Sequence, residues 1–293
     1  ILDPAVPEDA KSDLALEALR DMASAWRVGT IRMEGLAIDN PAQNVSAGLA
    51  GFTVSGLSNQ GIDSFIVKNL RGESPDGFGK LDSFELAGFV FPDSEDLMKF
   101  AALETDADPA KHAETMRGAF AALPRLSHLG LQGFSAGKSQ AESVAVELFS
   151  LDFRKWNDIF AEETDIRIEG VDVPVSLMQL DPTQMQVMDT LGFDRLVLGL
   201  SLGDRWAPEA GTDDATWTMT LRDGADVELT YRLAGVTLDW MLAATAAAGK
   251  GEDSQAALMT MLNDLKLERA QLVVTDRSLL DRAFGVAAQK QGL

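Results

Sequence analysis

Residues 131–139, "LQGFSAGKS", contain the spacing G-x-S-x-G at Gly133, Ser135 and Gly137. This is the spacing of a hydrolase nucleophile elbow, in which a serine sits between a strand and a helix and is followed by an acid and then a histidine. Both histidines of the chain, His112 and His128, precede Ser135, and the next stretch alternates in strand fashion. The sequence therefore predicts that Ser135 is a strand residue and not a nucleophile.

The other motifs that could carry chemistry are incomplete. A phosphate-binding loop needs glycine at position 132, where the chain has Gln132. Two histidines without any cysteine offer little to zinc. We interpret "ETDADP" as a solvated turn in which Asp108 caps a helix, and Asp213 and Asp214 as a hairpin turn. No catalytic residue, cofactor or metal ligand is predicted, although a carboxylate pair for glycoside chemistry stays open among 46 acids.

The charge and composition exclude further classes of function. The chain has 293 residues and a formal net charge of -21, which repels nucleic acid and anionic lipid headgroups. No uninterrupted apolar run is long enough to span a membrane as a helix. The sequence starts at Ile1 and ends in "AAQKQGL", so we expect that a signal peptide or anchor has been removed and that the natural chain extends further. We expect a periplasmic location.

Apolar spacing predicts eleven strands and several helices. Helices are expected from Pro7 to Trp26 and at 92–103, 108–123, 181–192, 252–265 and 277–290. The strands are expected at 29–38, 45–57, 62–70, 79–91, 126–135, 142–153, 164–176, 193–202, 215–222, 226–240 and 265–275. Short turns between long strands indicate an antiparallel sheet.

A glycine interrupts the alternation of apolar residues in several of these strands. In "IRMEGLAI", Ile31 and Met33 share one face, and after Gly35 the apolar residues are out of phase by one. One additional residue in the strand, a β-bulge, would return them to the same face, and glycine suits it because the extra residue often needs positive φ. The glycines with this pattern are Gly35, Gly88, Gly133, Gly170 and Gly235, with Gly56 a partial sixth case.

Bulges at similar depth in neighbouring strands would bend the sheet. We therefore predict an α+β fold whose large antiparallel sheet curves into a trough, half-barrel or open barrel, with helices capping it. We expect one elongated domain over residues 1–293, with two similar halves, 1–124 and 125–293, as a further possibility. The concave face is either filled by the core or lined as an apolar groove. The groove candidates are Phe134, Leu229, Tyr231, Leu238 and Trp240.

Two stretches carry a resemblance to known proteins. Residues 191–236 consist of paired strands with a short acidic turn, and residues 265–292, "LKLERAQLVVTDRSLLDRAFGVAAQKQG", run from a strand through an aspartate into a helix. They resemble envelope proteins of Gram-negative bacteria in the AsmA-related and YdgA-like periplasmic families. The matching positions of the ending are Asp276, Leu279, Ala287 and Gly292. The resemblance implies a periplasmic location and lipid handling at the envelope, and it supplies no catalytic residue.

Two functions follow as expectations. The first is a non-enzymatic protein that binds an apolar or lipid-like ligand in the concavity of the sheet. The second is an envelope scaffold whose core is filled by its own helices and which meets a protein partner through its acidic surface or an exposed strand edge. An enzyme of unrecognised type is a third alternative.

Overall fold

A computed structural model describes residues 26–92, 117–120, 122–157, 159–248 and 254–291 of the chain. Apart from Trp26 and Pro92, the helix expected from Pro7 to Trp26 and the one expected at 92–103 lie outside these residues. Of the helix expected at 108–123, only residues 117–120 are described as helical.

The described residues form an eleven-stranded antiparallel sheet in which each strand pairs with its neighbours in sequence. The large antiparallel sheet with a few helices is thus confirmed, and the sheet is not closed, because β1 and β11 are its two edges. The strands are β1 (Arg27–Asn40), β2 (Val45–Ser58), β3 (Gly61–Ser74), β4 (Gly77–Val90), β5 (His128–Gly137), β6 (Ser143–Trp156), β7 (Ala161–Pro174), β8 (Arg195–Ala207), β9 (Thr212–Leu221), β10 (Ala225–Ala234) and β11 (Lys266–Asp276).

The helices in the described part are α1 (Pro182–Leu191), α2 (Leu238–Ala248), α3 (Ser254–Leu262) and α4 (Leu279–Gln291). The start of α1 is a capping box, in which the side chain of Asp181 accepts from the backbone N–H of Gln184 and the side chain of Gln184 accepts from that of Asp181. Gly192 ends the helix in the left-handed conformation. The sequence predicted α1, α3 and α4.

Two predictions near the carboxyl end of the sheet are wrong. The strand expected at 226–240 ends at Ala234, and Leu238 and Trp240 belong to helix α2. The side chain of Thr237 accepts from the backbone N–H of Trp240 and so caps this helix. Asp213 and Asp214 are not a turn, because they already pair within strand β9.

The positive φ that was predicted for the glycines in the strands is confirmed. Gly35, Gly88, Gly133 and Gly170 all have φ between 60° and 66° inside their strands, and Gly56 has φ 63°. Gly235 also has positive φ, but it lies just beyond β10, where the chain turns into α2. Its predicted place inside a bulged strand is therefore wrong.

Each of the strands β1 to β7 contains one additional residue, and these residues lie at the same level of the sheet. We call this level the crease. The crease has positive φ in β1, β3, β5 and β7, where Asn69 takes the role of glycine in β3. Register places the following residues at this level: Gly35, Ala50, Asn69, Asp82, Gly133, Glu147 and Gly170. Gly56 and Gly88 mark a second level, on either side of Asp63.

The crease explains why the register shifts at only one strand pair beside it. Strands β1 to β7 all carry the extra residue, so their pairing with one another stays aligned. Strand β8 does not carry it, and the register between β7 and β8 shifts between Ile168 and Val171. A second shift, between β10 and β11, leaves Glu268 of β11 as the extra residue.

The buried residues of the described part lie toward the two ends of the sheet. Trp206, Ala215 and Val236 are buried toward one end. Val175, Phe193 and Leu196 are buried together at the other end. Met185 and Met188 of α1 and Leu279 of α4 pack against them. The middle of the sheet owes its stability to strand pairing and to side-chain contacts along its faces.

Candidate functional site

Apolar side chains occupy three levels of the sheet, which we call rows 1, 2 and 3. Rows 1 and 2 have one residue from each of the eleven strands, and row 3 has one from each of β1 to β9. Row 1 is Ile31, Val54, Phe65, Leu86, Leu129, Leu151, Ile166, Leu202, Trp217, Leu229 and Leu272. Row 2 is Met33, Phe52, Val67, Phe84, Leu131, Phe149, Ile168, Leu200, Met219, Val227 and Val274. Row 3 is Leu36, Leu49, Leu70, Leu81, Phe134, Val146, Val171, Leu198 and Leu221.

All three rows lie on one face of the sheet. In β8 the alternation is regular, so Leu198, Leu200 and Leu202 project from the same side. Directly paired residues of neighbouring strands share a face, which extends each row across the sheet. The rings confirm this for rows 1 and 2, since the Phe65 centroid is 6.4 Å from that of Phe52 and 6.1 Å from that of Phe84. We call this side the apolar face.

The crease keeps row 3 on the apolar face. Rows 2 and 3 are three residues apart in β1 to β7 but two residues apart in β8 and β9. Without the additional residue, Leu36 and Phe134 would project from the opposite face. Rows 1 and 2 cross eleven strands, a distance of roughly 48 Å at ~4.8 Å per strand.

The apolar face is most exposed toward β11. Met219 is 55% exposed, Leu272 is 64% exposed and Val274 is 61% exposed. Toward β8 and β9, row 3 is covered, because Leu198 and Leu221 pack into the cluster of α1 and α4. A contiguous apolar surface of this size marks an interaction or ligand site in most proteins.

The opposite face carries a row of charged side chains that we call the ion row, and their signs alternate as far as Arg232. Its members pair directly across six strands and are Arg154, Glu163, Arg205, Asp214, Arg232 and Arg269. Arg154 Nε lies 3.4 Å from Glu163 Oε2, and Arg232 Nη1 lies 3.5 Å from Asp214 Oδ2. Opposite charges facing each other across strands stabilise the sheet modestly and identify this face as the solvated one.

A pair of carboxyl groups interrupts the apolar face near one end. Asp204 of β8 and Asp213 of β9 are diagonal neighbours on this face, beside buried Trp206 and Ala215. Burial, then a hydrogen bond with Asp204 and the negative charges of Asp204 and Asp214, raise the pKa of Asp213 to about 7. Near neutral pH this pair therefore holds a proton that ordinary aspartates would have lost.

The predicted groove residues separate into two groups. Phe134 lies in row 3, Leu229 lies in row 1, and Tyr231 lies on the same face one level beyond, paired with Ala215. Leu238 instead lines a cleft of about 720 Å³ beside Ile159 and Pro208.

Trp240 is not a groove residue, because its indole N–H donates to the carbonyl of Met261 and ties α2 to α3. Most members of the rows could not be predicted from the sequence, because the register between strands determines which apolar residues pair directly.

Of the residues considered for catalysis, Ser135 and His128 do not come together, and His112 lies outside the described residues. Ser135 is a buried residue of β5, two positions after Gly133, as predicted. His128 begins the same strand, about 23 Å away at ~3.3 Å per residue, and pairs with the carboxylate of Asp152 at 2.8 Å. This separation excludes proton transfer between His128 and Ser135. Within the described ranges, no three metal-ligating side chains form a group that could hold an ion.

The comparisons with known proteins match only part of the chain. Residues 218–293, which include the last four residues of β9 and the elements from β10 to α4, match the model of a family described as "Uncharacterized protein". No curated protein and no solved structure matches the chain. Among the helices of the described residues, none has the length and apolar character needed to cross a membrane.

Proposed function

We propose that this protein binds an apolar, lipid-like ligand along rows 1 and 2 and catalyses no reaction on it. The observation that supports this proposal is the continuity of the rows, which present one apolar residue in each of eleven neighbouring strands. Burying an acyl chain on such a surface is favourable by about 0.8 kcal/mol per methylene. A long apolar strip with few polar groups fits a flexible hydrocarbon better than a compact polar metabolite.

The crease supports a concave binding surface. Irregular backbone at one level of adjacent strands bends each strand in the same direction, so a trough would form along the line of the crease. In this proposal the ligand lies in the trough, parallel to the rows, while the ion row faces water.

A location in the periplasm belongs to the same proposal. It is supported by the resemblance to envelope proteins at Asp276, Leu279, Ala287 and Gly292. The net charge of -21 favours binding of single ligand molecules over adsorption to an anionic membrane.

Trp217 provides a direct test, because it lies in row 1. Brominated fatty acids quench a tryptophan that they contact, so we expect saturable quenching in the natural protein. The Trp217→Phe variant should lose the quenching that comes from Trp217. The fluorescence of Trp206 should remain, because Trp206 is buried and belongs to neither row. Saturable binding that leaves Trp217 unquenched would contradict the proposed site.

Two neighbouring substitutions in β9 form a matched pair for the same assay. Met219→Lys places a charge in row 2, whereas Thr218→Lys places it on the opposite face, next to Glu228. We expect Met219→Lys to weaken binding by about tenfold, because a charge must then be desolvated, and Thr218→Lys to change it little. Equal effects of the two substitutions would contradict binding on the apolar face.

The alternative function is an envelope scaffold whose apolar face is filled by its own helices. The packing of α1 and α4 over Leu198 and Leu221 favours it, because these helices already cover part of row 3. Native mass spectrometry and organic extraction of the purified protein distinguish the two functions. Copurified lipid supports ligand binding, and its repeated absence together with unquenched Trp217 supports the scaffold.

A further inference from the structure

Among the residues that the structure describes, strand β11 is an edge of the sheet. All eleven of its residues, from Lys266 to Asp276, are exposed. Between Arg269 and Asp276 its register with β10 is uninterrupted, so within the described part of the chain its outer side presents a regular series of unpaired backbone groups. The extra residue Glu268 disturbs only the amino-terminal end of the strand. A regular edge of this length is a template for one more strand.

The apolar rows reach this edge without being covered. Leu272 and Val274 end rows 1 and 2 and are 64% and 61% exposed. The members of these rows in β2 to β10 have a neighbour on both sides, whereas Leu272 and Val274 have one only on the side of β10. A further strand with apolar residues at these levels would bury both side chains.

The ion row is incomplete at the same edge. Its charges alternate from Arg154 to Arg232, but Arg269 then faces Arg232 directly. The carboxylate that Arg232 contacts on β11 is that of the extra residue Glu268, 3.2 Å from its Nε. Arg269 reaches the carboxylate of Asp214, two strands away, only at 3.9 Å, and Arg232 shares that carboxylate. A carboxylate on the far side of Arg269 would continue the alternation.

The other edge lacks this complementarity. In β1, Arg32 is paired with Glu34 on its own strand and Arg27 contacts Asp63 at 3.3 Å. A second copy of β11 supplies no carboxylate to Arg269. Antiparallel pairing of Leu272 with Val274 of the second copy sets Arg269 opposite Arg277, and pairing of Leu272 with Leu272 sets it opposite Thr275. The required partner therefore differs in sequence from β11.

We infer that the stretch from Arg269 to Thr275 binds an extended segment of another polypeptide as a twelfth strand. In the antiparallel direction this segment has apolar residues opposite Val274 and Leu272 and, three residues after the second of them, an aspartate or glutamate opposite Arg269. Backbone hydrogen bonds supply the affinity and these three side chains supply the specificity. This inference does not rest on the proposed ligand, although Leu272 and Val274 belong to both sites, because the added strand pairs with the backbone of β11.

The test uses a synthetic ten-residue peptide with valines at the two apolar positions, aspartate at the acidic position and threonine elsewhere. Binding is measured by fluorescence anisotropy, and hydrogen exchange reports which backbone amides become protected. We expect saturable binding that protects amides between Arg269 and Thr275. Arg269→Glu should weaken binding by about tenfold, and a peptide with lysine in place of aspartate should restore it.

The charge exchange keeps the result interpretable, because a variant that fails to fold cannot bind the lysine peptide. Arg32→Glu, at the β1 edge, is the matched control and should leave the binding of both peptides unchanged. The inference is overturned if neither peptide binds, if binding ignores the charge at position 269, or if protection appears at another strand. Protection of β11 by concentration-dependent self-association would also overturn it, because the occupant would then be a second copy.

Discussion

The carboxylate of Asp82 in β4 lies over Gly133 in β5. A methyl group on Gly133 would stand 2.0 Å from Asp82 Oδ2, far inside van der Waals contact. The same relationship recurs at this level between Glu147 and Gly170, where a Cβ would stand 2.4 Å from the carboxyl carbon. Gly133 is therefore required for two reasons, because its φ of 65° is one that residues with a side chain rarely adopt and because the neighbouring carboxylate occupies the space that a side chain would need.

Three glycine-to-alanine substitutions separate the cost of the left-handed backbone from the cost of the steric clash. Gly133→Ala introduces both the unfavourable φ and the steric clash, and we expect it to lower the free energy of unfolding by about 2–4 kcal/mol. Gly35→Ala introduces only the unfavourable φ of 66°, because nothing lies within 4 Å of the added carbon, and we expect a loss of about 1–2 kcal/mol. Gly79→Ala introduces neither, and its free energy of unfolding should be within about 0.5 kcal/mol of that of the natural protein.

Urea unfolding followed by circular dichroism measures this series. The order of the three variants carries the result, since absolute values depend on the unfolded state. If Gly35→Ala were as stable as Gly79→Ala, the left-handed backbone would not be needed at the crease. If Asp82→Ala did not recover part of the loss in Gly133→Ala, the carboxylate would not be the group that excludes a side chain.

The crease shows how far the sequence predicts this fold. The change of apolar phase at Gly35, Gly133 and Gly170 correctly predicted positive φ and the additional residue. The sequence did not show that all of β1 to β7 share the irregularity, because β3 achieves it with Asn69 and β2, β4 and β6 achieve it without positive φ. Alignment between strands is a long-range property that depends on every turn between them.

The region around α2 shows where local patterns mislead. Val236, Leu238 and Trp240 alternate as a strand would, and they follow directly from β10. The competing signals were Thr237 as a helix cap and the alanine-rich sequence after Met241. For the site, Phe134 and Leu229 were correctly placed on the apolar face, but the rows themselves emerged only from the register.

Helix α4 is held to the sheet end by Arg282. Its guanidinium donates to the carbonyls of Leu191 at 2.9 Å and Gly192 at 3.2 Å, and it lies 4.7 Å from the centroid of the Phe193 ring. We expect Arg282→Lys to lower the free energy of unfolding by about 1–3 kcal/mol, because a single ammonium cannot make both hydrogen bonds and stack. Asp281→Asn, the exposed neighbour on the same helix, is the control. Equal stability of Arg282→Lys and the natural protein would refute this role.

Trp206 joins the sheet to the segment before α2. Its buried indole N–H donates to the carbonyl of Val236 at 2.6 Å. Trp206→Phe removes the donor and leaves a buried carbonyl unpaired, so we expect a loss of about 1–3 kcal/mol in thermal or urea unfolding. Trp240→Phe removes a longer hydrogen bond, 3.2 Å to the carbonyl of Met261, at a half-buried position, and should cost less. The reverse order would contradict this assignment.

The raised pKa of Asp213 makes stability depend on pH in a definite direction. Asp213 keeps its proton in the folded protein up to about pH 7, whereas in the unfolded chain it loses it near the ordinary value of 3.8. Between these values the folded state binds more protons, so the free energy of unfolding falls as pH rises and the loss is complete above about pH 7.

Asp213→Asn removes this dependence, because the amide cannot ionise. We expect the variant to be more stable than the natural protein by about 1–3 kcal/mol at pH 8 and no more stable at pH 4. Asp172→Asn is the matched control, since its carboxylate pairs with Arg195 at 2.6 Å and its loss should not stabilise the protein at pH 8. Urea unfolding at pH 4 and at pH 8 measures the free energy of unfolding of each variant. If Asp213→Asn gained as much at pH 4 as at pH 8, removal of a buried negative charge would not be the cause.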